Sequence, residues 1–505
     1  MAPEHFLLID IDGLRADVFS AALQADRLPN LARLLGGAAL RRGVQVPIVA
    51  PAPSITFCSQ ACLFTGTHPK EHGVMGNQFF DRFGYVRNGS PSFLAFDVGD
   101  TLAIDDAVRV FTDGLAADCL QRPTFYQKMA AQGYTSVVAG NMYAKGADSW
   151  IKPSLVKLAR FIKGGDLFGM SSADYDQHVL KRLLKHLGKH GLPNIITIYF
   201  LGLDHDSHKY GPDSQADYLI DHVDPMIGEL WETIQAISGR SASPLNASRG
   251  VKVAPFVAIF SDHGQIAVVR DDLHSLRVGY PFDRQLSRLF DALGLDIHDY
   301  PAEDPNCDAV MALNGGLADI YLRNGASGRW VDAPAFERDV LRVGRAFWEA
   351  HLSGKYASEL YGALAGILVR DTAREGWHAP YQALTPMGMV ISLEEWFAKQ
   401  PSHMYVDPIH RLNNRTQIFS GDLLLISNYA DGYYFGSKNV GNHGGLHPED
   451  SKAVLAYGWP DASAAQWEQT KYAITQAIEA RCRAEGGRQP STTDMMTGLE
   501  AALSH

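Results

Sequence analysis

The sequence predicts an α/β fold, a doubly wound and mostly parallel sheet with helices on both faces and an inserted cap region. Three short apolar runs, residues 6–12, 195–204 and 256–261, have the composition of strands buried on both faces of a parallel sheet. Each run ends at or just before an Asp residue. Carboxylates at the ends of strands that alternate with helices are typical of open doubly wound sheets, whose ligands bind beyond those ends.

Two helical patterns support the alternation of strands with helices. Residues 28–37 have helical spacing and end in two glycines, which suit a helix stop. Farther along, apolar residues recur at steps of three and four, as in an amphipathic helix: Leu219, Val223, Ile227, Leu230 and Ile234. Pro225 is expected either to kink this helix or to mark its start.

The chain is predicted to have three parts. Residues 1–270 form the first part of the catalytic core, and residues 422–505 form its last part. Residues 271–421 are less regular and hold several tryptophans, so we predict a cap or lid inserted between the last core strands. An exposed aromatic patch on this insert would suit closure over a substrate as well as pairing with another subunit.

Charge and hydropathy argue against two classes of partner. The formal net charge is −11 and Lys and Arg show no cluster, whereas binding to a nucleic-acid polymer or an anionic lipid surface needs clustered cations. No apolar run approaches the roughly 18 residues of a membrane span. We therefore expect a small-molecule substrate, no nucleic-acid polymer and no membrane, and leave a homo-oligomer open.

The five cysteines are few, odd in number and without a CxxC pair, which argues against a disulfide framework and favours a reducing compartment. No signal peptide precedes the strand-like run that starts at Phe6. These features predict a cytoplasmic protein, or a periplasmic one if the N-terminus was trimmed.

Residues 54–77 carry the candidate nucleophile, Thr56. A hydroxyl is a weak nucleophile at its ordinary pKa and needs a base or a metal ion to activate it. Candidate metal ligands lie at the ends of the apolar runs and in the segments LDHDSHKYG and HGGLH. They are three carboxylates and three imidazoles: Asp12, Asp204, His208, Asp262, His263 and His443. Together with the hydroxyl, this set is large enough for two metal ions.

The segment TFCSQACLFTGTHPKEHGVMGN resembles the nucleophile segment of the type I phosphodiesterase and nucleotide pyrophosphatase branch of the alkaline phosphatase superfamily. The similarity lies in the Thr-Phe pair, the following Thr-Gly, Pro and His-Gly, and the closing Gly-Asn. It extends to DGLRAD, LPNLARLL, DHDSHKYGPDS, FSDHG and NHGG, and so spans the catalytic core. The resemblance implies an alkaline-phosphatase-like fold and hydrolysis of phosphodiester or pyrophosphate bonds.

The resemblance also implies roles for single residues. One zinc would be held by Asp204, His208 and His443, and a second by Asp12, Asp262, His263 and the Thr56 oxygen, with manganese as the alternative metal. Thr56 would form a phospho-threonine intermediate, and Asn77 would donate its amide to a phosphoryl oxygen. Phe57 and Tyr199 match positions that help to sandwich a base in nucleotide-cleaving relatives.

Two features keep the substrate open. Cys58 and Ser59 follow Thr-Phe where the family often has Pro-Asn. Lys145, in NMYAKGADSW, resembles a lysine of the phosphonoacetate hydrolase branch, which grips a substrate carboxylate. A phosphonate hydrolase or a phosphomonoesterase on the same metal site is therefore the alternative to a phosphodiesterase. Residues 54–77 contain no Arg, and a monoesterase needs added cations, so the diester is favoured.

A hypothesis of a different class is a catalytically silent binding module that keeps the fold for recognition. The seven ligand positions argue against it, because a silent protein has no chemical reason to keep all of them.

Overall fold

The structure of the chain, a computed structural model, describes residues 3–87, 89–97, 104–163, 169–240, 255–278, 285–297 and 306–504. Its strands, in chain order, are β1 (Phe6–Ile11), β2 (Gly43–Gln45), β3 (Ile48–Val49), β4 (Gln78–Asp81), β5 (Ser92–Ala95), β6 (Ser136–Ala139), β7 (Ser149–Ile151), β8 (Ile195–Phe200), β9 (Phe256–Phe260), β10 (Ile266–Ala267), β11 (Ser275–Leu276), β12 (Ala309–Asn314), β13 (Leu317–Leu322), β14 (Leu364–Val369), β15 (Gln382–Leu384), β16 (Val390–Ile391), β17 (Leu423–Ser427), β18 (Tyr434–Phe435), β19 (Gly441–Asn442), β20 (Lys452–Ala453) and β21 (Leu455–Gly458).

The α-helices of the described residues are Ala16–Gln24, Pro29–Leu34, Thr56–Thr65, Pro69–His72, Ile104–Thr112, Leu115–Asp118, Phe125–Ala130, Leu155–Lys163, Ser172–His190, Gly202–Tyr210, Gln215–Tyr218, Asp224–Arg240, Gln285–Ala292, Leu341–Ser353, Thr372–Glu375, Leu393–Phe397, Pro408–Asn413, Pro448–Ser451, Ala464–Ala484 and Asp494–Leu503. Short 3-10 segments are Pro212–Ser214, Ser358–Leu360 and Tyr429–Asp431, and π-helical segments are Leu219–Val223 and Phe336–Val340. None of the described helices is both long enough and apolar enough to cross a bilayer.

A seven-stranded sheet in the order β2-β21-β9-β1-β8-β6-β7 forms the centre of the fold. Strands β9, β1, β8, β6 and β7 run parallel to one another, whereas β21 is antiparallel to both of its neighbours, β9 and β2. Both faces of β1 are buried, because Phe6 and Leu8 belong to one apolar cluster, and Leu7 and Ile9 belong to another on the opposite face. The predicted α/β fold class with a mostly parallel sheet is confirmed.

A second sheet lies in the later part of the chain. It has six antiparallel strands in the order β12-β13-β17-β14-β15-β16, and its apolar cluster includes residues of the helices Gln285–Ala292 and Leu341–Ser353. The division of the chain at 270/271 and 421/422 stays a prediction. Strand β17 begins just after the predicted boundary at 421/422. It pairs with β13 and β14 of this second sheet and not with the central sheet.

The helix predicted around residues 219–234 forms, and its five apolar residues are buried. A π-helical segment, Leu219–Val223, precedes the α-helix Asp224–Arg240, in which Pro225 is the second residue. Because residues 215–223 are helical as well, Pro225 does not begin a separate helix but follows the π-helical segment directly, where the hydrogen-bond pattern of the helix changes.

Candidate metal centre and active site

Three carboxylates meet at the carboxyl ends of three neighbouring strands. Asp12 follows β1 directly, and Asp262 follows β9 by two residues. The run 195–204, predicted as one strand, ends as a strand at Phe200, and Asp204 lies in the helix Gly202–Tyr210 that comes next. Because β9, β1 and β8 are adjacent in the sheet, all three side chains face the same crevice.

Three histidines join these carboxylates. His208 lies one helical turn after Asp204, and its Nε2 is 3.2 Å from Asp204 Oδ2. His443 follows β19, and its Nε2 is 3.1 Å from His208 Nε2 and 3.7 Å from Asp204 Oδ1. The His263 and His443 rings stack with centroids 3.8 Å apart. The structure therefore brings together all six predicted metal ligands.

Each histidine points the same nitrogen at the crevice. The Nδ1 atoms lie against backbone carbonyl oxygens, 2.8 Å from Gly441 for His208, 2.9 Å from Gly264 for His263 and 3.2 Å from Ser54 for His443. An Nδ1–H that donates to a carbonyl leaves Nε2 with its lone pair, which is the form that binds a metal ion.

Two buried carboxylate oxygens at this site, Asp12 Oδ1 and Asp262 Oδ2, have no hydrogen-bond partner among the described residues. Each lies 3.4 Å from His263 Nε2 in side chains that are fully buried. A buried oxygen without a partner is costly unless a cation or a proton donor satisfies it. The donor set of carboxylate oxygens and imidazole nitrogens fits divalent transition metals such as zinc or manganese.

The candidate ligand atoms form two groups, and the atoms within each group lie within 4.8 Å of one another. The first group contains Asp204, His208 and His443, the set implied for one metal. The second contains Asp12, His263 and again Asp204, whereas the resemblance implied Asp262. Asp204 thus lies between the two groups.

The pKa values of the site are strongly perturbed. Burial, together with repulsion from Asp262, raises the pKa of the Asp12 carboxyl well above its usual range. Burial also acts to raise the pKa of Asp204, but the neighbouring His208 side chain outweighs burial, and the pKa of Asp204 is lowered. Burial lowers the pKa of His443 well below the ordinary value and keeps its ring neutral. A bound cation would relieve the repulsion among the carboxylates.

Thr56 is the first residue of the helix Thr56–Thr65. Its Oγ1 lies 3.2 Å from His263 Nε2, at the edge of the second ligand group. The free N–H groups at a helix N-terminus favour negative charge, so this position suits both an ionised hydroxyl and a phosphate.

Asn77 is held against the start of the same helix. Its Oδ1 accepts a hydrogen bond of 3.0 Å from the Phe57 backbone N–H. Its own carbonyl accepts from the Phe96 N–H at 2.9 Å. Because the amide oxygen is occupied, the NH₂ end is the part of Asn77 that is left to donate to a substrate.

The two residues expected to contact a base are mostly buried. Phe57 is 6% exposed and packs on Phe96, with ring centroids 5.0 Å apart. Tyr199 is 3% exposed, and its hydroxyl donates to Asp12 Oδ2. Tyr199 therefore contacts a predicted metal ligand and presents almost no ring surface to a substrate, which differs from the role that the resemblance implied.

Lys145 does not join the site residues. Its Nζ lies 2.7 Å from Asp118 Oδ1 in a half-exposed ion pair. In the described part of the chain, the basic side chains near Asp12, Asp204 and Asp262 are those of histidines. The substrate-binding role of Lys145 stays a prediction, and among the described residues its ion-pair partner is Asp118.

Gln265 is a site residue that the sequence did not single out. Its Nε2 donates to Asp204 Oδ1 at 2.6 Å and to the Asp204 carbonyl at 3.2 Å. It stands two residues after His263, but a glutamine in a loop is ordinary, so nothing in the local pattern distinguished it.

Comparisons with known proteins bear on the family and the fold of the chain. A family model described as type I phosphodiesterase / nucleotide pyrophosphatase matches residues 6–404. An uncharacterized pyrophosphatase/phosphodiesterase of Schizosaccharomyces pombe is 24% identical over 262 residues, which are 51% of this chain and 44% of that protein. The match thus spans less than half of the length of that relative.

Solved structures share the fold. Murine ectonucleotide pyrophosphatase / phosphodiesterase 5 has a TM-score of 0.51 at 13% identity, covering 90% of this chain and 88% of that one. An inactive form of the same murine protein, in complex with AMP, has a TM-score of 0.53 at 12% identity, covering 99% and 95%. The human protein has a TM-score of 0.50 at 11% identity, covering 96% of each chain.

Proposed function

The chain belongs to the type I phosphodiesterase / nucleotide pyrophosphatase family, and from this premise we propose that it hydrolyses phosphodiester or pyrophosphate bonds of small molecules. The observation that carries the proposal is the position of Thr56. Its hydroxyl lies at a helix N-terminus and 3.2 Å from His263 Nε2, beside three carboxylates and three histidines. This is the arrangement that an activated hydroxyl nucleophile needs.

Two divalent cations, zinc or alternatively manganese, complete the proposed site. Asp204, His208 and His443 would hold one, and Asp12, Asp262, His263 and the Thr56 oxygen would hold the other, with Asp204 close to both. When bound, the cations would lower the pKa of a hydroxyl or water and neutralise charge on the phosphoryl group.

The chain's own residues perform two displacements at phosphorus. In the first, the deprotonated Thr56 oxygen forms a bond to phosphorus, and the leaving oxygen departs with the electrons of its phosphorus–oxygen bond. In the second, a water oxygen bonds to phosphorus while the bond to Thr56 breaks, and the hydroxyl regains its proton. The Asn77 NH₂ group donates to a non-bridging phosphoryl oxygen and stabilises the charge that develops there.

The charges around the site favour a diester over a monoester. A monoester carries a second negative charge on phosphorus, which monoesterases neutralise with Arg or Lys. Among the described residues, the basic side chains close to Asp12, Asp204 and Asp262 are histidines, and Lys145 is paired with Asp118. A substrate phosphorus with one negative charge suits such a site.

The test is the ratio of kcat/KM for bis-p-nitrophenyl phosphate to that for p-nitrophenyl phosphate, measured on the zinc-loaded and the manganese-loaded protein. We expect a ratio well above one. A ratio well below one would overturn the diester assignment in favour of a monoesterase. The absence of turnover on both esters with either metal would overturn the hydrolase assignment.

The covalent step is tested with two substitutions of the nucleophile. Thr56→Ala removes the attacking oxygen and is expected to abolish turnover while the bound metal content, measured by mass spectrometry, stays close to that of the wild type. Thr56→Ser keeps a hydroxyl and is expected to keep measurable turnover. An acid-quenched wild-type reaction should contain a phosphorylated peptide at Thr56, and full activity of Thr56→Ala would contradict the covalent mechanism.

A further inference from the structure

The hairpin between β12 and β13 reaches the active site from the second sheet. Its tip is Asn314, Gly315 and Gly316, in a sequence ALNGGLA that suits a tight turn. The Gly316 N–H donates to the His443 carbonyl at 3.0 Å. A Cβ on Gly315, whose φ is +68°, would lie 1.8 Å from that same carbonyl oxygen, so only glycine allows this approach.

The Asn314 side chain contacts the segment on the other side of the site. Its Oδ1 accepts from the Gln78 N–H at 3.1 Å, and its Nδ2 donates to the Gln78 carbonyl at 3.0 Å. The Gln78 side chain in turn binds the β12 backbone, because its Oε1 accepts a hydrogen bond from the Leu313 N–H at 3.0 Å. The fully buried amide of Asn314 thus pairs with the backbone of Gln78 as a neighbouring strand would.

The same amide lies against the residue before Asn77. A Cβ on Gly76 would lie 2.3 Å from Asn314 Oδ1, so the two segments are in the closest contact that a glycine permits. Asn314 therefore touches Gly76 and Gln78, the two neighbours of Asn77 in the chain. The direction of the Asn77 side chain depends on the backbone between these two fixed points.

From this geometry we infer that Asn314 is a positioning residue for the reaction, which holds the Asn77 amide in line with the phosphoryl oxygen. The inference rests on the proposed function and deepens it. Asn314 touches neither substrate nor metal in this account and acts through Asn77. Through Asn314, the second sheet helps to position a residue of the active site, in addition to any role in covering the site.

The decisive experiment is a double-mutant cycle between Asn314→Ala and Asn77→Ala, with turnover of bis-p-nitrophenyl phosphate by the metal-loaded protein as the readout. Loss of the Asn77 donor is expected to lower kcat by about 100-fold or more. Asn314→Ala alone is expected to lower kcat by about 10- to 100-fold and to change KM much less, because misplacing a catalytic group has effects of this size. In the Asn77→Ala background, Asn314→Ala should lower kcat by less than about threefold, because the effects of residues that act as a unit are not additive.

A matched control separates positioning from general loss of structure. Asn324 follows the opposite end of β13, and its side-chain amide also binds backbone groups, those of Ala326, Ser327 and Ala333. Asn324→Ala is expected to keep the wild-type kcat. The assays are run well below the melting temperature of each variant, and the bound metal is measured in each. Unfolding and metal loss then do not affect the comparison.

The outcomes distinguish this inference from the proposed function. If Asn314→Ala lowers kcat equally with and without Asn77, or no more than Asn324→Ala does, the positioning role is wrong while the proposed function stands. If Thr56→Ala retains full turnover, the proposed function fails whatever Asn314→Ala does. If the Asn314→Ala variant does not fold, Asn314→Asp, which keeps the side-chain volume, replaces it. The same double-mutant cycle then tests the positioning role.

Discussion

The Tyr199 hydroxyl donates a hydrogen bond to Asp12 Oδ2, joining strand β8 to the carboxylate at the end of β1. Both side chains are buried, and the other oxygen of Asp12 has no hydrogen-bond partner within the part of the chain that the structure describes. One oxygen of Asp12 is thus fixed by the protein and the other is left for a cation. A hydrogen bond of this kind orients a ligand and tunes its affinity for the metal.

Tyr199→Phe should therefore weaken metal binding. We expect the affinity for zinc to fall by about 10- to 100-fold, measured by competition with a chromophoric chelator. Tyr126→Phe is the matched control, because its buried hydroxyl donates to Thr197 Oγ1 at 2.8 Å and not to a metal ligand. If Tyr199→Phe leaves the zinc affinity unchanged, the hydrogen bond to Asp12 does not support metal binding and the prediction is wrong.

Lys145→Ala should leave catalysis almost unchanged. The Lys145 Nζ is 2.7 Å from Asp118 Oδ1 and its side chain is 46% exposed, so its removal takes away only a surface ion pair. We expect kcat/KM for bis-p-nitrophenyl phosphate and for phosphonoacetate, if it is cleaved, to stay within about twofold of the wild type. Lys152→Ala, which removes another exposed lysine, is the control. A tenfold loss specific to Lys145→Ala and to phosphonoacetate would revive the phosphonate hydrolase alternative.

The buried ion pair between Arg82 and Asp422 should matter for stability. The guanidinium and carboxylate meet at 3.0 and 3.3 Å, both are fully buried, and the guanidinium also lies 4.6 Å from the centre of the Trp377 ring. Arg82→Met removes the cation that is hydrogen-bonded to the buried Asp422 carboxylate, which costs about 3–5 kcal/mol in the free energy of unfolding. Asp422 keeps the Leu322 N–H, at 2.8 Å, and the attraction of the nearby Arg370. Thermal and urea unfolding measure the loss.

Two further variants check the cause of that loss. Adding Asp422→Asn to Arg82→Met removes the unpaired charge and should recover part of the stability. Lys399→Met breaks an exposed pair with Glu395, at 2.8 Å, and should change the unfolding free energy by less than about 1 kcal/mol. An Arg82→Met variant as stable as Lys399→Met would refute the prediction.

Asp176 should make stability depend on pH. Burial raises the pKa of its carboxyl to about 7, although hydrogen bonds from Tyr218, Gly202 and Leu201 act in the opposite direction. Because the folded pKa lies above the unfolded value, the contribution of Asp176 is fully present below about pH 4 and is lost as the pH rises towards 7. Asp176→Asn removes this titration.

The measurement is urea unfolding of the wild type and Asp176→Asn between pH 4 and pH 8. The unfolding free energy of Asp176→Asn, relative to that of the wild type, should rise with pH and level off above about pH 7. Its total change is at most about 4 kcal/mol, from 1.36 kcal/mol for each pKa unit. Parallel pH curves for the two proteins would contradict the raised pKa.

Local patterns predicted the fold class and the resemblance of the motifs predicted the family, and both are confirmed. A strand buried on both faces needs an unbroken apolar run, and the residues after it fall at the carboxyl end of the sheet whatever the rest of the chain does. The pattern therefore located Asp12 and Asp262. The four-residue spacing of Asp204 and His208 allowed a shared helical face, and the structure has them one turn apart.

The sequence by itself thus determined which residue types end the core strands and in what order the candidate ligands come. Only the tertiary structure decided that Tyr199 binds Asp12, that Lys145 binds Asp118 and that Asn314 holds the backbone of Gln78. Asn314 and Gln78 are 236 residues apart in the chain. Such contacts depend on how two separate sheets pack against each other, and no periodicity within either segment encodes that packing.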